Sequence, residues 1–236
     1  MTTADAAAKR QIQDTKTPHL ARLIAARHGK PVNRLLVVGC GSGLEAAILS
    51  RELHCRVTGI DIDGNFDAAS AAAVSLEVGD ATALRFSNGS FDFVYSYHAL
   101  EHIPNFRKAL NEMNRVLSDQ GGYCVGTPNR ARLVGYLGSE QATLSERLAW
   151  NVIDWRAMLR GRFRNELGAH AGFTSDELAA ELRAAFGDVS DISLDYYRTV
   201  YARRKSLVQI LHSSGLGKVL FPSVYFTGVK RTGAST

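Results

Sequence analysis

The sequence has few of the features that define disulfide-rich or membrane-spanning proteins. It contains three cysteines in 236 residues, and Cys40, Cys55 and Cys124 have no metal-ligand spacing and cannot all pair. No apolar run reaches the roughly 18 residues that cross a bilayer, and the N-terminus has no hydrophobic signal core. These absences argue against a disulfide scaffold and lead us to expect a cytoplasmic protein in a reducing environment.

The charge balance is mildly basic. The formal net charge is +5 and the isoelectric point is about 9.2, which favours anionic partners but does not by itself indicate a nucleic-acid-binding protein. The 45% hydrophobic and 22% charged content is ordinary for a globular protein. We expect one domain over residues 1–236, with an insertion at 129–172 and a flexible start at 1–15.

A glycine-rich turn after a short apolar run is the main feature of the first half of the chain. Residues 35–38 are all apolar, which is typical of a strand buried on both faces, and residues 44–53 have helical composition. Glycines between them let a ligand lie against the main chain because no Cβ intervenes. This unit is typical of a nucleotide-binding crevice, although such turns also occur where nothing binds.

Asp61 strengthens the interpretation of a nucleotide-binding crevice. It ends a second predicted strand and lies 22 residues after Gly39, close to the ~20 expected for an acid that accepts hydrogen bonds from ribose hydroxyls. A carboxylate can accept two such bonds at once. Since parallel strands end at the same edge of a sheet, Asp61 is expected to face the same crevice as the glycine turn.

Strands and helices then alternate along the chain. Predicted strands cover residues 75–78, 91–96 and 123–127, with helices over 67–73 and from Pro104 to a stop at 121–122. Five alternations predict a doubly wound α/β sheet. Two closing strands are predicted at residues 189–194 and 224–229.

Six segments in order resemble class I S-adenosylmethionine-dependent methyltransferases, particularly the branch that acts on small molecules. They lie at residues 37–43, 59–61, 79–81, 90–94, 100–103 and 121–122. The resemblance implies a Rossmann-like, mostly parallel seven-stranded sheet with an antiparallel last strand and a helical lid. It also implies the cofactor S-adenosylmethionine, which becomes S-adenosylhomocysteine after the reaction.

The resemblance assigns roles to individual residues. The glycine turn would hold the methionine part of the cofactor, Asp61 the ribose, and Asp80 with the Ala81 backbone the adenine edge. The complete cofactor set predicted here is Gly39, Cys40, Gly41, Gly43, Asp61, Ile62, Asp80, Ala81 and Tyr97. Tyr97 would lie near the methionine end.

One position departs from the family pattern. Val37 stands two residues before the first glycine, where the family usually has an acid that helps hold the glycine turn and the cofactor's amino group. A valine cannot do this. Recognition of that amino group must therefore depend on backbone carbonyls of the turn or on a residue from elsewhere.

Three histidines are the catalytic candidates, namely His98, His102 and His170. His98 is the first candidate for a general base, because neutral imidazole can take a proton from an attacking hydroxyl. His102 could instead order the loop by hydrogen bonding, and His170 could have a structural role. Methyl transfer also proceeds by alignment alone, in which case no base is needed.

Residues 98–102 also match the H-x-x-E-H pattern of inverted zinc proteases. That chemistry needs the motif on a helix, whereas here it follows a predicted strand and precedes Pro104. Some quinone-pathway methyltransferases bind a divalent cation through a similar motif, but His98 replaces the first glutamate. A divalent metal is therefore an open alternative that we do not expect.

The insertion at 129–172 contains a basic amphipathic segment with apolar residues at helical spacing, including Leu144, Leu148, Trp155 and Leu159. This insertion contains seven arginines and four acidic residues. The apolar stripe could pack on the core, form a lid with Trp150 or Trp155 as a wall over the acceptor, or contact a membrane surface.

The sequence predicts a methyltransferase acting on an oxygen, or less favourably a nitrogen, of a small-molecule, glycan or lipid-like acceptor that could bear an anionic group. The alternatives are an RNA methyltransferase, supported only by the basic insertion, and a non-catalytic cofactor-binding module. A nicotinamide dehydrogenase fits less well because position 44 is leucine where a third glycine is needed. The oligomeric state is left open.

Overall fold

The computed structural model describes residues 16–136, 142–165 and 170–231. The predicted flexible start at 1–15 lies outside these residues. Within them, no helix is long and apolar enough to span a membrane.

A seven-stranded sheet forms the centre of the fold, in the order β3-β2-β1-β4-β5-β7-β6. The strands from β1 to β5 are parallel, β7 runs antiparallel to β5, and β6 runs antiparallel to β7. This confirms the predicted doubly wound, mostly parallel sheet with an antiparallel last strand. The strands are β1 (Arg34–Val38), β2 (Arg56–Asp61), β3 (Ser75–Val78), β4 (Phe91–Tyr97), β5 (Leu117–Pro128), β6 (Ser190–Asp191) and β7 (Ser223–Val229).

Helices cover both faces of the sheet. The helices are α1 (Thr17–His28), α2 (Leu44–Leu53), α3 (Ala68–Ala73), α4 (Phe106–Val116), α5 (Leu144–Leu159), α6 (Ser175–Phe186), α7 (Ser193–Val200), α8 (Lys205–Ser213) and α9 (Gly217–Leu220). Buried side chains of α1, α2, α7 and α8 contribute to the hydrophobic core of one face, and those of α4 and α6 to the core of the other.

Strand β1 contributes to both cores, as its apolar run predicts. Leu35 and Val37 belong to the core of one face and Leu36 and Val38 to that of the other, because successive side chains of a strand point in opposite directions. The chain runs from β1 outward to β3 on one side and returns through β4 on the other. This reversal opens a crevice at the carboxyl ends of β1 and β4, where ligands bind in such sheets.

The end of α4 differs from the prediction. The helix ends at Val116, and Leu117 already pairs with Phe91, so the expected helix stop at 121–122 is wrong. Gly121 and Gly122 lie inside β5. Glycine is needed at position 122 because a Cβ there would meet the Phe93 ring at 2.6 Å.

The predicted strand over residues 189–194 is also wrong in extent. Only Ser190 and Asp191 pair with β7, and α7 begins at Ser193. The Ser193 backbone N–H donates to the Asp191 carboxylate at 2.7 Å, which turns the chain out of the strand and into the helix. As a result, Tyr196 and Tyr197 pack against the sheet from a helix.

The insertion forms helix α5, which begins with a capping box between Thr143 and Glu146. Its apolar stripe does not pack on the core. Leu144, Leu148 and Leu159 are 77%, 65% and 89% exposed. The alternative in which the stripe packs on the core is therefore not supported for these three leucines, and the buried residue of α5 is the polar Asn151.

Candidate functional site

A cavity of about 650 Å³ opens at the switch point of the sheet. Its walls come from the carboxyl ends of β1 and β2, from the segments that follow β3 and β4, and from the start of α4. The residues that line it are Gly39, Gly41, Ile60, Asp61, Ile62, Asp63, Gly79, Asp80, Ala81, Thr82, His98, Ala99, His102, Ile103, Pro104 and Asn105. A volume of this size is typical of a cofactor site.

Glycine is suited to positions 39 and 41 of the turn for two different structural reasons. Gly39 has φ +75°, and a Cβ on it would overlap the Ala99 side chain, so glycine permits close packing. Gly41 has φ +52°, and a Cβ there would meet nothing within 4 Å. Gly41 therefore faces open space on the wall of the cavity, as expected where a ligand lies against the backbone.

The Asp61 carboxylate is hydrogen-bonded to the backbone of the glycine turn. Its Oδ2 accepts a hydrogen bond from the Gly41 backbone N–H at 2.7 Å, and its Oδ1 accepts one from the Asp63 N–H at 3.1 Å. Each carboxylate oxygen can accept a second bond. Asp61 also lines the cavity, so its remaining acceptor capacity is available to a ligand there.

Asp80 and Ala81 follow β3 on the same wall. The Thr82 backbone N–H donates to Asp80 Oδ1 at 2.7 Å, and this hydrogen bond lowers the pKa of the Asp80 carboxyl. The negatively charged form is therefore favoured at a position that borders the cavity.

A second cavity of about 390 Å³, here called the tyrosine cavity, lies beside the first. Its lining residues are Lys16, Tyr97, His98, Pro128, Arg132, Tyr136, His170, Tyr196, Tyr197, Val200, Tyr201, Pro222, Ser223 and Tyr225. Six of these are tyrosines. Among the described residues that line it, none is acidic.

The tyrosines hold one another in place. Tyr97 and Tyr225 stack with ring centroids 5.4 Å apart, and the Tyr225 hydroxyl donates to that of Tyr97 at 3.1 Å. The Tyr197 hydroxyl donates to the Ser223 carbonyl at 3.0 Å. Burial raises the pKa of all three hydroxyls, so they stay protonated and can act only as hydrogen-bonding groups.

His98 lines both cavities. It follows β4 with φ 52°, a conformation uncommon outside glycine, and its backbone N–H donates to the Gly126 carbonyl at 3.0 Å. Its ring Nε2 lies 3.3 Å from the Ser223 hydroxyl. Burial first, and then the positive charge of Arg132, lowers the pKa of His98 to about 3, so the ring is neutral at physiological pH and weakly basic.

His102 and His170 meet beside this wall. Nδ1 of His170 lies 3.2 Å from Nε2 of His102, and burial lowers the pKa of His102. His102 lines the first cavity and His170 the tyrosine cavity, so the structure brings all three candidate histidines to the junction of the two.

Glu101 precedes this pair and is buried, with 5% exposure. Neither carboxylate oxygen has a hydrogen-bond partner. His102 Nε2 lies 4.0 Å from Glu101 Oε1, which is too far for a hydrogen bond. Because the pKa of His102 is lowered, its ring is neutral and the two side chains form no ion pair. Burial raises the pKa of Glu101 to about 7.

Hydrogen bonds of Arg132 join three parts of the insertion beside the tyrosine cavity. It is 4% exposed and donates to the carbonyls of His170 and Ala171 at 3.1 Å, and to Oδ2 of Asp154 at 3.0 Å. Asp154 lies on α5 and also accepts from the Tyr136 hydroxyl at 3.1 Å. One buried guanidinium thus links α5 to the chain that carries His170.

The structure brings most of the predicted site residues to one place. Cys40 is buried in the core, Gly43 packs against Leu76 where it begins α2, and neither lines the first cavity. Tyr97 lines the tyrosine cavity but not the first one. The cofactor and catalytic roles of all these residues stay predictions.

The sequence interpretation missed the tyrosines of α7 and the role of Arg132. The α7 tyrosines were hidden by the wrong strand prediction at 189–194. Arg132 was one of seven arginines in the insertion, and no local pattern set it apart.

Val37 is buried in the core, as an apolar residue should be. It pairs with Tyr95 across β1 and β4, and the Tyr95 hydroxyl donates to Oε2 of Glu45 at 3.3 Å. Glu45 is the second residue of α2, directly after the glycine turn. Tyr95, the partner of Val37 in the sheet, is thus hydrogen-bonded to an acid of the helix that follows the turn.

The chain is similar to known proteins both in sequence and in fold. Residues 36–125 match a family whose description is "Methyltransferase domain". Over these residues the chain is similar to class I S-adenosylmethionine-dependent methyltransferases. The match covers the glycine turn, Asp61, Asp80 and His98, which are the elements that form the first cavity.

A curated relative of the methyltransferase domain is the demethylmenaquinone methyltransferase of Staphylococcus aureus (strain MRSA252). The two are 38% identical over 96 residues, which is 37% of this chain and 40% of that protein. The match thus spans only about two fifths of the length of the curated relative.

Solved structures share the fold over most of the chain. YcgJ from Bacillus subtilis is 18% identical with a TM-score of 0.56, covering 91% of this chain and 99% of that one. Phosphoethanolamine N-methyltransferase 2 from Haemonchus contortus, solved with S-adenosylhomocysteine and phosphomonomethylethanolamine, is 20% identical with a TM-score of 0.56, covering 90% and 53%. At these identities the likeness shows the fold alone.

The residues of the first cavity fit S-adenosylmethionine. Gly41 leaves open space against the backbone, and Asp61 and Asp80 present carboxylates at the ends of neighbouring strands. In the part of the chain that the structure describes, no group of three or more His, Cys, Asp or Glu side chains is arranged to hold a metal ion.

Proposed function

We propose that this chain transfers the methyl group of S-adenosylmethionine to an oxygen, and less favourably a nitrogen, of a small molecule bound in the tyrosine cavity. The observation that carries the proposal is that His98 lines both cavities, so that a ligand in one is next to a ligand in the other. Catalysis by alignment requires such contact between donor and acceptor.

The first cavity would hold the cofactor, with Gly39 and Gly41 under the methionine part, Asp61 at the ribose hydroxyls and Asp80 at the adenine. When bound, the cofactor supplies a sulfonium methyl group that is already activated toward nucleophiles. The protein has to bind both molecules, orient them and exclude water.

The chemistry of the lining supports an aromatic or otherwise planar acceptor. Six tyrosines supply ring faces for stacking and hydroxyls for hydrogen bonding. Lys16 and Arg132 are the cations of the lining, and Arg132 is paired with Asp154. Since none of the described lining residues is acidic, a neutral or anionic acceptor fits better than a cationic one.

The proton balance does not require a strong base. As the acceptor oxygen bonds to the methyl carbon, the carbon–sulfur bond breaks, its electron pair neutralises the sulfonium, and the acceptor hydroxyl loses its proton. His98 can accept a hydrogen bond from that hydroxyl, but its lowered pKa makes it a weak base. We therefore assign His98 the role of aligning the hydroxyl, with the proton leaving to solvent.

The insertion at 129–172 is proposed as a lid on the tyrosine cavity. Arg132, Tyr136 and His170 line the cavity, and Arg132 ties them to α5 through Asp154. Neither Trp150 nor Trp155 is among the residues that line the tyrosine cavity, so we do not propose either as the wall of the acceptor site. We expect the reaction to take place in the cytoplasm.

Incubation of the purified chain with methyl-labelled S-adenosylmethionine and panels of phenolic, quinol and phosphorylated hydroxyl compounds tests the proposal. Label should pass to a small-molecule product in wild type and not in Tyr197→Ala, which opens the tyrosine cavity. Tight cofactor binding with no transfer to any compound class in this panel, or to RNA, would favour the non-catalytic alternative. Transfer to RNA instead would favour the RNA methyltransferase.

A further inference from the structure

Apolar side chains are exposed along one surface formed by α5, α8 and the residues around α9. On α5 the stripe of Leu144, Leu148, Trp155 and Leu159 is 41–89% exposed. Leu133, Leu207, Ile210 and Leu216 are 49–63% exposed. Leucines and isoleucine at these exposures form more apolar surface than scattered single residues would.

Hydrogen bonds join these elements side by side. The Trp155 indole N–H donates to the Leu133 carbonyl at 2.7 Å, and the Leu133 N–H donates to the Val219 carbonyl at 2.7 Å. Val219 lies in α9, which follows α8 after Leu216. The exposed residues of α5 and those around α9 thus belong to one continuous region.

Positive charge accompanies the same region. Arg156 and Arg160 follow the stripe on α5, and Arg203, Arg204, Lys205 and Lys218 lie on and beside α8 and α9. Residues 201–220 contain no acidic side chain. We call the eight apolar residues and these six cations the apolar–basic surface.

We propose that the apolar–basic surface docks on an anionic lipid bilayer. Leucine and tryptophan side chains enter the interfacial layer while arginine and lysine meet the anionic headgroups, as in interfacial helices. Self-association would place the cations of one copy against those of another, so a like-charged partner fits less well. Nucleic acid would satisfy the cations and leave the leucines exposed.

The docking surface lies next to the proposed acceptor site. A groove lined by Leu207, Leu211 and Leu220 shares Tyr197, Tyr201 and Pro222 with the tyrosine cavity. An acceptor dissolved in the membrane would therefore reach the cavity along an apolar path. The docking itself does not depend on methyl transfer.

Sedimentation of the full chain with vesicles tests the proposal. The chain should bind vesicles of phosphatidylcholine mixed with phosphatidylglycerol and not pure phosphatidylcholine vesicles. Arg203→Gln/Arg204→Gln/Lys205→Gln should lower the partition coefficient by roughly 100-fold at low salt. Leu148→Ser/Leu159→Ser, which changes exposed side chains only, should lower it by about tenfold or more.

The matched control is Arg22→Gln/Arg56→Gln/Arg85→Gln, which removes the same charge elsewhere and should bind vesicles like wild type. Failure of wild type to bind anionic vesicles would overturn the proposal, and so would equal loss in the control. A dimer in light scattering that Leu148→Ser/Leu159→Ser converts to a monomer would also overturn it, because a second copy would then occupy the surface. Cofactor binding, measured separately, should be unchanged in every variant.

Discussion

His98 shows how burial changes what a residue can do in catalysis. The sequence suggests a general base because an ordinary histidine titrates near neutral pH. Burial and the charge of Arg132 lower its pKa to about 3, so the ring is already neutral at every pH at which the chain is expected to work. A weak base in this position can align a hydroxyl but takes its proton poorly.

For His98 we predict that the imidazole stays neutral from pH 8 down to about pH 4, because protonation would place a charge in a buried site beside Arg132. Histidine NMR titration measures this directly. His98→Ala should lower kcat by roughly tenfold, less than loss of a strong base would, and leave cofactor affinity unchanged. A His98 titration near pH 6 to 7 would contradict the assignment.

For Asp61 we predict that Asp61→Ala weakens binding of S-adenosylhomocysteine by about tenfold or more, since a hydrogen bond to a charged group contributes roughly 1.5–3 kcal/mol. The variant also removes the acceptor of the Gly41 N–H. Calorimetry gives the affinity, and Asp119→Asn, at an exposed position far along the chain, serves as the control. Equal affinities in wild type and Asp61→Ala would refute the ribose role.

Glu101 provides a prediction about pH and stability. Its folded pKa of about 7 is above the usual value of 4.5. Below pH 4.5 the carboxyl is protonated in both the folded and the unfolded state. As the pH rises from 4.5 through 7, the unfolded state loses this proton before the folded state does, so the free energy of unfolding falls. Glu101→Gln should therefore raise the free energy of unfolding by roughly 2–3 kcal/mol at pH 8 and change it little at pH 5.

Urea unfolding at both pH values measures this difference. If Glu101→Gln were equally or more destabilised at pH 8 than at pH 5, the buried carboxylate would have to be paired or solvated in a way that its unpartnered oxygens do not suggest.

At the scale of elements, a buried ion pair holds the insertion together with the hydrogen bonds of Asn151 and Trp155. Arg132 and Asp154 have side-chain exposures of 5% and 14%, and Arg132 also satisfies the carbonyls of His170 and Ala171. Removing one partner leaves the other charge buried without its counterion, which costs roughly 3–5 kcal/mol. Leu144, Leu148 and Leu159 of the apolar stripe add little packing energy, because they are exposed.

We therefore predict that Arg132→Met releases α5 while the sheet remains folded. Limited trypsin digestion should cut the variant within residues 144–165 much faster than wild type, with far-ultraviolet circular dichroism nearly unchanged. Arg107→Met breaks the exposed pair with Glu181 and serves as the control. Cleavage at equal rates in wild type and Arg132→Met would show that other contacts hold the lid.

The elements also show what the sequence could predict. The glycine turn, Asp61 and Asp80 lie at the ends of short apolar strands, so spacing along the chain was enough to bring them to one edge of the sheet. The tyrosine cavity could not be predicted in this way. Tyr97, Tyr197 and Tyr225 come from β4, α7 and β7, and only the antiparallel return of β7 beside β5 brings them together.

At the scale of the whole molecule, one sheet reversal organises the site. It opens the first cavity between β1 and β4, and the antiparallel β7 and helix α7 build the tyrosine cavity beside it. The family match covers residues 36–125, so it accounts for the first cavity but ends before the insertion and the α7 tyrosines. Most residues of the tyrosine cavity, where we propose that the acceptor binds, lie in the part of the chain that the family match does not reach, whereas Tyr97 and His98 lie within it.

The central claim is that the first cavity binds S-adenosylmethionine, and calorimetric titration of the full chain tests it most directly. We predict saturable binding of S-adenosylmethionine and S-adenosylhomocysteine at one site per chain, and no comparable binding of NAD, because Leu44 stands where a dinucleotide site needs its third glycine. Absence of binding by both sulfur compounds, or preference for NAD, would contradict the account.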